Sequence, residues 1–134
     1  MTLRKYKNIF VVDDDDVNNF VTLKFLHQFS KEYEVETYSD PVQAFEELEK
    51  AKRMDRDFPD VILLDINMPK MSGFEFLQKM NVFGISDKIE VIMYSSSIYQ
   101  EDKRKANHFS NVIGYMEKPF SIETYESILE SNSK

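Results

Sequence analysis

The sequence predicts an α/β domain built as a doubly wound, five-stranded parallel sheet with helices on both faces. Three observations predict it. First, four apolar runs stop abruptly at residues that can do chemistry: Ile9-Phe10-Val11-Val12 at Asp13-Asp14, Val61-Ile62-Leu63-Leu64 at Asp65, Val91-Ile92-Met93-Tyr94 at Ser95, and Val112 to Glu117 at Lys118. Continuous runs of this kind read as strands buried on both faces of a parallel sheet. Second, helical segments alternate with the runs, which calls for helices on both faces. Third, right-handed crossovers narrow such an order to the doubly wound topology.

The elements follow in order. After the first strand, Val17 to Phe29 is rich in Phe, Leu and Val, with Asp16 as the expected cap. Glu34 to Tyr38 alternates weakly and makes a modest second strand. Asp40-Pro41-Val42-Gln43 starts a helix, with Asp as N-cap, Pro at the first helical position, and Phe45 and Leu48 facing inward. Lys50 to Asp57 reads as a charged connection to the third strand. Ser72-Gly73-Phe74-Glu75 has the form of a capping box, and Phe74 with Leu77 gives the next helix an apolar stripe. The fourth strand starts at Glu90, and Ile98 to Phe109 reads as a polar helix after it. Ser121 caps the last helix, whose Ile122, Tyr125 and Leu129 share a face.

Bulk properties exclude several classes. The 134 residues suit one domain, expected to span residues 1–134 with little chain left for an output module. Hydrophobic residues make up 42% and charged residues 31%, an ordinary globular balance. The chain has no cysteine, which removes disulfides and thiolate chemistry. No apolar run approaches the ~18 residues of a membrane span, and the basic start is not followed by a signal-peptide core, so the expected location is cytoplasmic. A net charge of -7 argues against direct DNA binding, which needs a positive surface. Lys103-Arg104-Lys105 follows Glu101-Asp102 and reads as a solvated helix face.

In open α/β sheets ligands bind outside the carboxyl ends of the strands. There Asp13, Asp14, Asp65, Ser95 and Lys118 should converge on one crevice. Of the four carboxylates from Asp13 to Asp16, Asp15 and Asp16 suit a helix start through the dipole. Asp13 and Asp14 lie directly against a buried strand, where ionised groups need a counter-ion. A hard cation such as Mg²⁺, bound by one or two carboxylates, would serve. An EF-hand loop begun at Asp14 fails, because Asn19 replaces the required Gly and Phe25 the closing Glu. Asp13-x-Asp15-x-Val17 matches the nucleophile motif of haloacid-dehalogenase-type phosphohydrolases, but nothing after the last strand supplies their second acidic pair.

Val11-Val12-Asp13-Asp14, Asp65-Ile66-Asn67-Met68-Pro69 with Ser72-Gly73, the strand end at Ser95, and Tyr115-Met116-Glu117-Lys118-Pro119-Phe120 together resemble the response-regulator receiver domain of two-component signalling, over nearly the whole chain. The resemblance implies the flavodoxin-like (βα)5 fold with strand order 2-1-3-4-5. It implies that Asp65 accepts a phosphoryl group, and that Asp13, Asp14, Asp65 and the Asn67 backbone carbonyl hold Mg²⁺. It implies that Ser95 is the switch hydroxyl, Lys118 the phosphate-binding lysine, Tyr115 the switch aromatic, and the bond before Pro119 cis. The implied donor is a phosphohistidine on a sensor histidine kinase or phosphotransfer protein. The implied readout, through the fourth helix, fifth strand and last helix, is to a downstream protein target, with no catalysis beyond the domain's own phosphorylation and dephosphorylation. A pseudo-receiver that binds partners without phosphorylation is disfavoured by the complete acceptor-site set. His27 and His108, expected in helices, are not donors. Ser95 stands where Thr is equally usual, Glu90 where the family often has Pro, and Asn67 and Ser97 resemble positions that tune phosphoryl lifetime. The chemistry fits the residues: a carboxylate attacking a phosphoryl group is anion meeting anion, so Mg²⁺ and Lys118 must first offset the charge.

Overall fold

Four residues, Val61–Leu64, make a strand with no solvent exposure, and the fold is organised around it. In the computed structural model, which describes residues 6–132, this strand is β3. Its companions are β1 (Asn8–Val12), β2 (Glu34–Tyr38), β4 (Glu90–Ser95) and β5 (Val112–Glu117), all parallel, in the order β2-β1-β3-β4-β5. The helices are α1 (Asp16–Phe29), α2 (Pro41–Arg53), α3 (Gly73–Phe83), α4 (Gln100–Ala106) and α5 (Ile122–Ser131). Successive strand residues enter opposite cores, as the period of two requires. Ile62 and Leu64 pack with Phe45, Leu48, Phe76, Leu77 and Met80, whereas Val61 and Leu63 pack with Leu26, Tyr125 and Leu129. Both faces being covered, the run is apolar throughout. β2 lies at the sheet edge and has no fully buried residue, which accounts for its weak pattern.

The expected caps at three helices are present. Asp40 accepts from Val42 N ahead of Pro41, Ser72 and Glu75 form a reciprocal capping box, and Ser121 accepts from Thr124 N. The Lys118–Pro119 bond is cis. Boundaries differ elsewhere. Asp15, not Asp16, caps α1, accepting from Asn18 N at 3.1 Å, so Asp16 falls inside the first turn. α2 runs to Arg53 and takes in the first half of the expected connection; buried Ala51 anchors it, and Lys50, Lys52 and Arg53 suit its carboxyl end. α3 buries Phe76, Leu77 and Met80, with Phe74 only half-buried, so its inward stripe is centred elsewhere than on Phe74. α4 is shorter than Ile98 to Phe109: the Asp102 carboxylate accepts from Tyr99 N and fixes the start, and the chain turns away at Asn107. His108 therefore lies in the turn after α4, not in a helix. Among the described residues no helix is long and apolar enough to cross a membrane.

Candidate functional site

The parallel ladder continues one step beyond the strands and gathers the site. Asp13 N donates to Tyr38 O at 3.0 Å, Asp65 N to Val12 O at 2.9 Å, and Lys118 N to Ser95 O at 2.8 Å. Each bond fixes the first residue after a strand against its neighbour, so Asp13, Asp65, Ser95 and Lys118 share the carboxyl edge of the sheet. Gly73, the first residue of α3, donates its N–H to Ile66 O at 2.8 Å. A Cβ there would collide with the Asp65 carbonyl oxygen. Only glycine lets α3 begin so close beneath Asp65.

Within the crevice, Lys118 Nζ stands 2.7 Å from Asp13 Oδ2 and 3.6 Å from Asp65 Oδ2. The Ser95 hydroxyl donates to Asp65 Oδ1 and accepts from Ile66 N at 2.9 Å. Asp13 is fully buried; its Oδ1 accepts from Asp15 N at 3.0 Å, and its Oδ2 also accepts from Asn18 Nδ2 at 2.9 Å. Asp14 is exposed. Burial pushes the Asp13 carboxyl above its ordinary range, against hydrogen bonds from Lys118 and Asp15 N, and the Asp65 charge pushes the same way. Burial also opposes charge on Lys118, but the Asp13 hydrogen bond and the charges of Asp13 and Asp65 outweigh it and raise its pKa. In an isolated ion pair each partner would favour the other's charged form. Here one ammonium serves two buried carboxylates, so Lys118 stays charged while Asp13 is under-compensated.

Asp13, Asp14 and Asp65 each offer a carboxylate oxygen, all within 4.8 Å of one another. Hard, anionic oxygen donors in excess of the local cation fit Mg²⁺, which takes few carboxylates and keeps waters. Asn67 is exposed in the loop after Asp65. Asp15 is occupied as the α1 cap, so the Asp13-x-Asp15 hydrolase motif loses its second acid from the crevice. Tyr115 stands apart, half-buried on β5. Its hydroxyl donates to Asn107 Oδ1 and, at 3.3 Å, to Lys103 O, and Lys103 Nζ lies 5.6 Å from its ring centroid. Beside it opens a cleft of about 370 Å³ lined by Ile98, Lys103, Met116, Glu117 and Thr124.

Sequence reasoning missed a polar layer on α1. Asn18 donates to the Asp13 carboxylate and Asn19 Nδ2 to the Asp13 carbonyl at 2.8 Å. Buried Thr22 shares a 2.9 Å hydrogen bond with the hydroxyl of buried Tyr94. Two asparagines just past a helix start, where their side chains compete with the backbone, were the available signal.

Comparison with known proteins agrees with this geometry. The family model described as the response regulator receiver domain matches residues 9–130. A protein-glutamate methylesterase/protein-glutamine glutaminase of Leptospira interrogans is 34% identical over 101 residues, covering 73% of this chain and 25% of the relative. The sensor histidine kinase CheAY of Helicobacter pylori is 25% identical over 94% of this chain, which spans 15% of that relative's length. Among solved structures, chemotaxis protein CheY4 of Vibrio cholerae is 29% identical with a TM-score of 0.74, covering 92% of this chain and 96% of that one. A two-component response regulator of Cytophaga hutchinsonii is 25% identical with a TM-score of 0.83, covering 92% and 94%. With the sheet order, the acidic edge and the family model in agreement, the chain belongs to the response-regulator receiver domains.

Proposed function

We propose that this domain is a phosphorylation-operated switch in which Asp65 takes a phosphoryl group from a phosphohistidine on a sensor histidine kinase or phosphotransfer protein. Receiver domains are signalling switches that bind Mg²⁺ at an acidic pocket and interact with histidine kinases and downstream targets. The observation that carries the reading is the environment of Asp65: a buried carboxylate at a strand end, with a hydroxyl on Oδ1 and an ammonium 3.6 Å from Oδ2. In the reaction an Asp65 oxygen forms a bond to phosphorus and the P–N bond of the donor breaks. Its electron pair passes to the imidazole, which takes up a proton and leaves. Asp13, Asp14, Asp65 and the Asn67 carbonyl would hold Mg²⁺, which supplies charge stabilisation to the transferring oxygens. Lys118 moves from Asp13 to a phosphoryl oxygen.

The Ser95 hydroxyl already rests on Asp65, so phosphorylation exchanges one acceptor for another rather than drawing it across a gap. Following the phosphoryl oxygen outward, Ser95 carries the loop after β4, which is tied to β5 where Ile98 N donates to Glu117 Oε2 at 3.2 Å. Tyr115 then gives up Asn107 and Lys103 and turns inward, changing the α4–β5–α5 surface offered to a downstream protein. Incubation with Mg²⁺ and acetyl phosphate should give one base-labile phosphoryl adduct by intact mass, absent in Asp65→Asn. Wild type without an adduct defeats the reading. Ser95→Ala should still be phosphorylated but lose phosphorylation-dependent partner binding, and Tyr115→Ala should weaken partner binding more than phosphorylation.

A further inference from the structure

Tyr94 is the last residue of β4 before Ser95, and it is fully buried. Lys118 Nζ lies over its ring, 5.9 Å from the centroid. The ring is pinned at two places: its hydroxyl shares the 2.9 Å bond with Thr22 in α1, and it meets Phe120 in an edge contact at 6.3 Å and 85°. Thr22 belongs to the same helix as Asn18, which donates to the Asp13 oxygen that also receives Lys118. Lys118 thus has two carboxylates, Asp13 and Asp65, and one aromatic face within reach of its ammonium.

We propose that Tyr94 is the positioning residue of Lys118 during phosphoryl transfer to Asp65. The inference rests on the reading of Asp65 as acceptor. To reach the phosphoryl group, Lys118 must trade one anion for another on a flexible four-carbon stem, and its side chain is 15% exposed. A second hydrogen-bonding partner would lock the ammonium in one place. An aromatic face attracts it over an area without fixing a direction, so the ammonium can slide between anions while kept from solvent. The Thr22 bond holds that face in place, and the ring itself makes the contact.

The test is a double-mutant cycle on the rate of Asp65 phosphorylation by acetyl phosphate at saturating Mg²⁺. Tyr94→Met, which removes the ring and leaves a flexible apolar side chain in the core, should slow the rate by about threefold to tenfold, the factor a partly desolvated cation–π contact supplies, without moving the Mg²⁺ half-saturation. In a Lys118→Ala background it should cause no further slowing, and Tyr94→Phe, which keeps the ring, should stay within about twofold of wild type. An equal slowing in both backgrounds means that Tyr94 only fills the core with Thr22, and overturns the proposal. So does an unchanged rate, or a Tyr94→Phe rate as low as that of Lys118→Ala. The wild-type protein gives a reading that needs no core variant. With Mg²⁺ and beryllofluoride bound, the Lys118 ε-methylene resonance, assigned by its loss in Lys118→Ala, should be shifted upfield by the ring. A random-coil position overturns the proposal. A wild type that forms no adduct defeats the acceptor reading instead, an outcome separable from the ring shift.

Discussion

Asp60 and Asp65 bracket β3, one at each end of the same buried run, and their carboxylates meet opposite surroundings. Asp60 Oδ2 accepts from Lys7 N at 2.9 Å and Asn8 N at 2.8 Å, so it staples the entry of β1 to the entry of β3. Asp65 accepts no such backbone pair; a hydroxyl and a distant ammonium attend it, and a second buried carboxylate shares that ammonium. An acidic cleft does not by itself mark the site. The cleft at the amino end, lined by Tyr6, Asp60, Asp87 and Glu90 among others, is about 450 Å³ and also acidic. What distinguishes the two ends is whether backbone amides already satisfy the carboxylate. A carboxylate held by two amides is structure, whereas one held by movable side chains is free to exchange its partners.

The comparison breaks first at Asp65. Asp65→Asn should abolish the phosphoryl adduct while leaving the melting temperature no lower than wild type without metal, because it relieves like-charge repulsion on Asp13. Intact mass and thermal unfolding read the two outcomes, and a marked loss of stability would make Asp65 structural like Asp60. Next comes the metal. Asp14 is exposed and Asp13 is engaged with Lys118, so Asp14→Asn should weaken Mg²⁺ binding by about tenfold or more and Asp13→Asn by less. A Mg²⁺ titration giving the same affinity for Asp14→Asn and wild type counts against the site. At the other end, Asp60→Ala should cost about 1–3 kcal/mol of stability by freeing two backbone amides, with phosphorylation of Asp65 intact. Urea unfolding and the same adduct assay check that pair of expectations.

The crevice was legible because four strand-end residues interrupt apolar runs, and a parallel sheet aligns strand ends. Caps at Asp40, Ser72 and Ser121 were legible because each depends on one side chain and a nearby N–H. The face of α1 was not. Apolar residues there suggest an inward stripe, yet Val17 is 73% and Phe20 59% exposed while Asn19 and Thr22 are buried. The inversion has a physical cause: α1 packs against the site, whose Asp13 backbone and Tyr94 hydroxyl need polar partners. Helical periodicity assumes that the buried side is apolar, and next to a buried charged site that assumption fails. The end of α4 was misread for a related reason, since Asn107 and His108 leave the helix for a turn that no Gly or Pro announces.

Asp40 sharpens the comparison at its smallest scale, because it lies at the carboxyl end of the sheet and yet has structural partners. It caps α2 through Val42 N at 2.9 Å and meets Lys70 Nζ, in the loop after Asp65, at 3.0 Å. The Lys70 hydrogen bond, then that from Val42 N, holds its carboxyl below the ordinary value of 3.8. A folded pKa below the unfolded one favours the native state at pH above the unfolded value, and that contribution is lost as pH falls through the folded one. Wild type should therefore lose melting temperature slightly more steeply than Asp40→Asn on acidification below the ordinary carboxylate range. Lys70→Ala should shrink the difference, and added salt should shrink it too, because the pair is exposed and screened. Phosphorylation of Asp65 should be unaffected by Asp40→Asn. If that variant slows the adduct as much as Asp14→Asn does, position at the carboxyl end, rather than partnership, decides what an aspartate does in this domain.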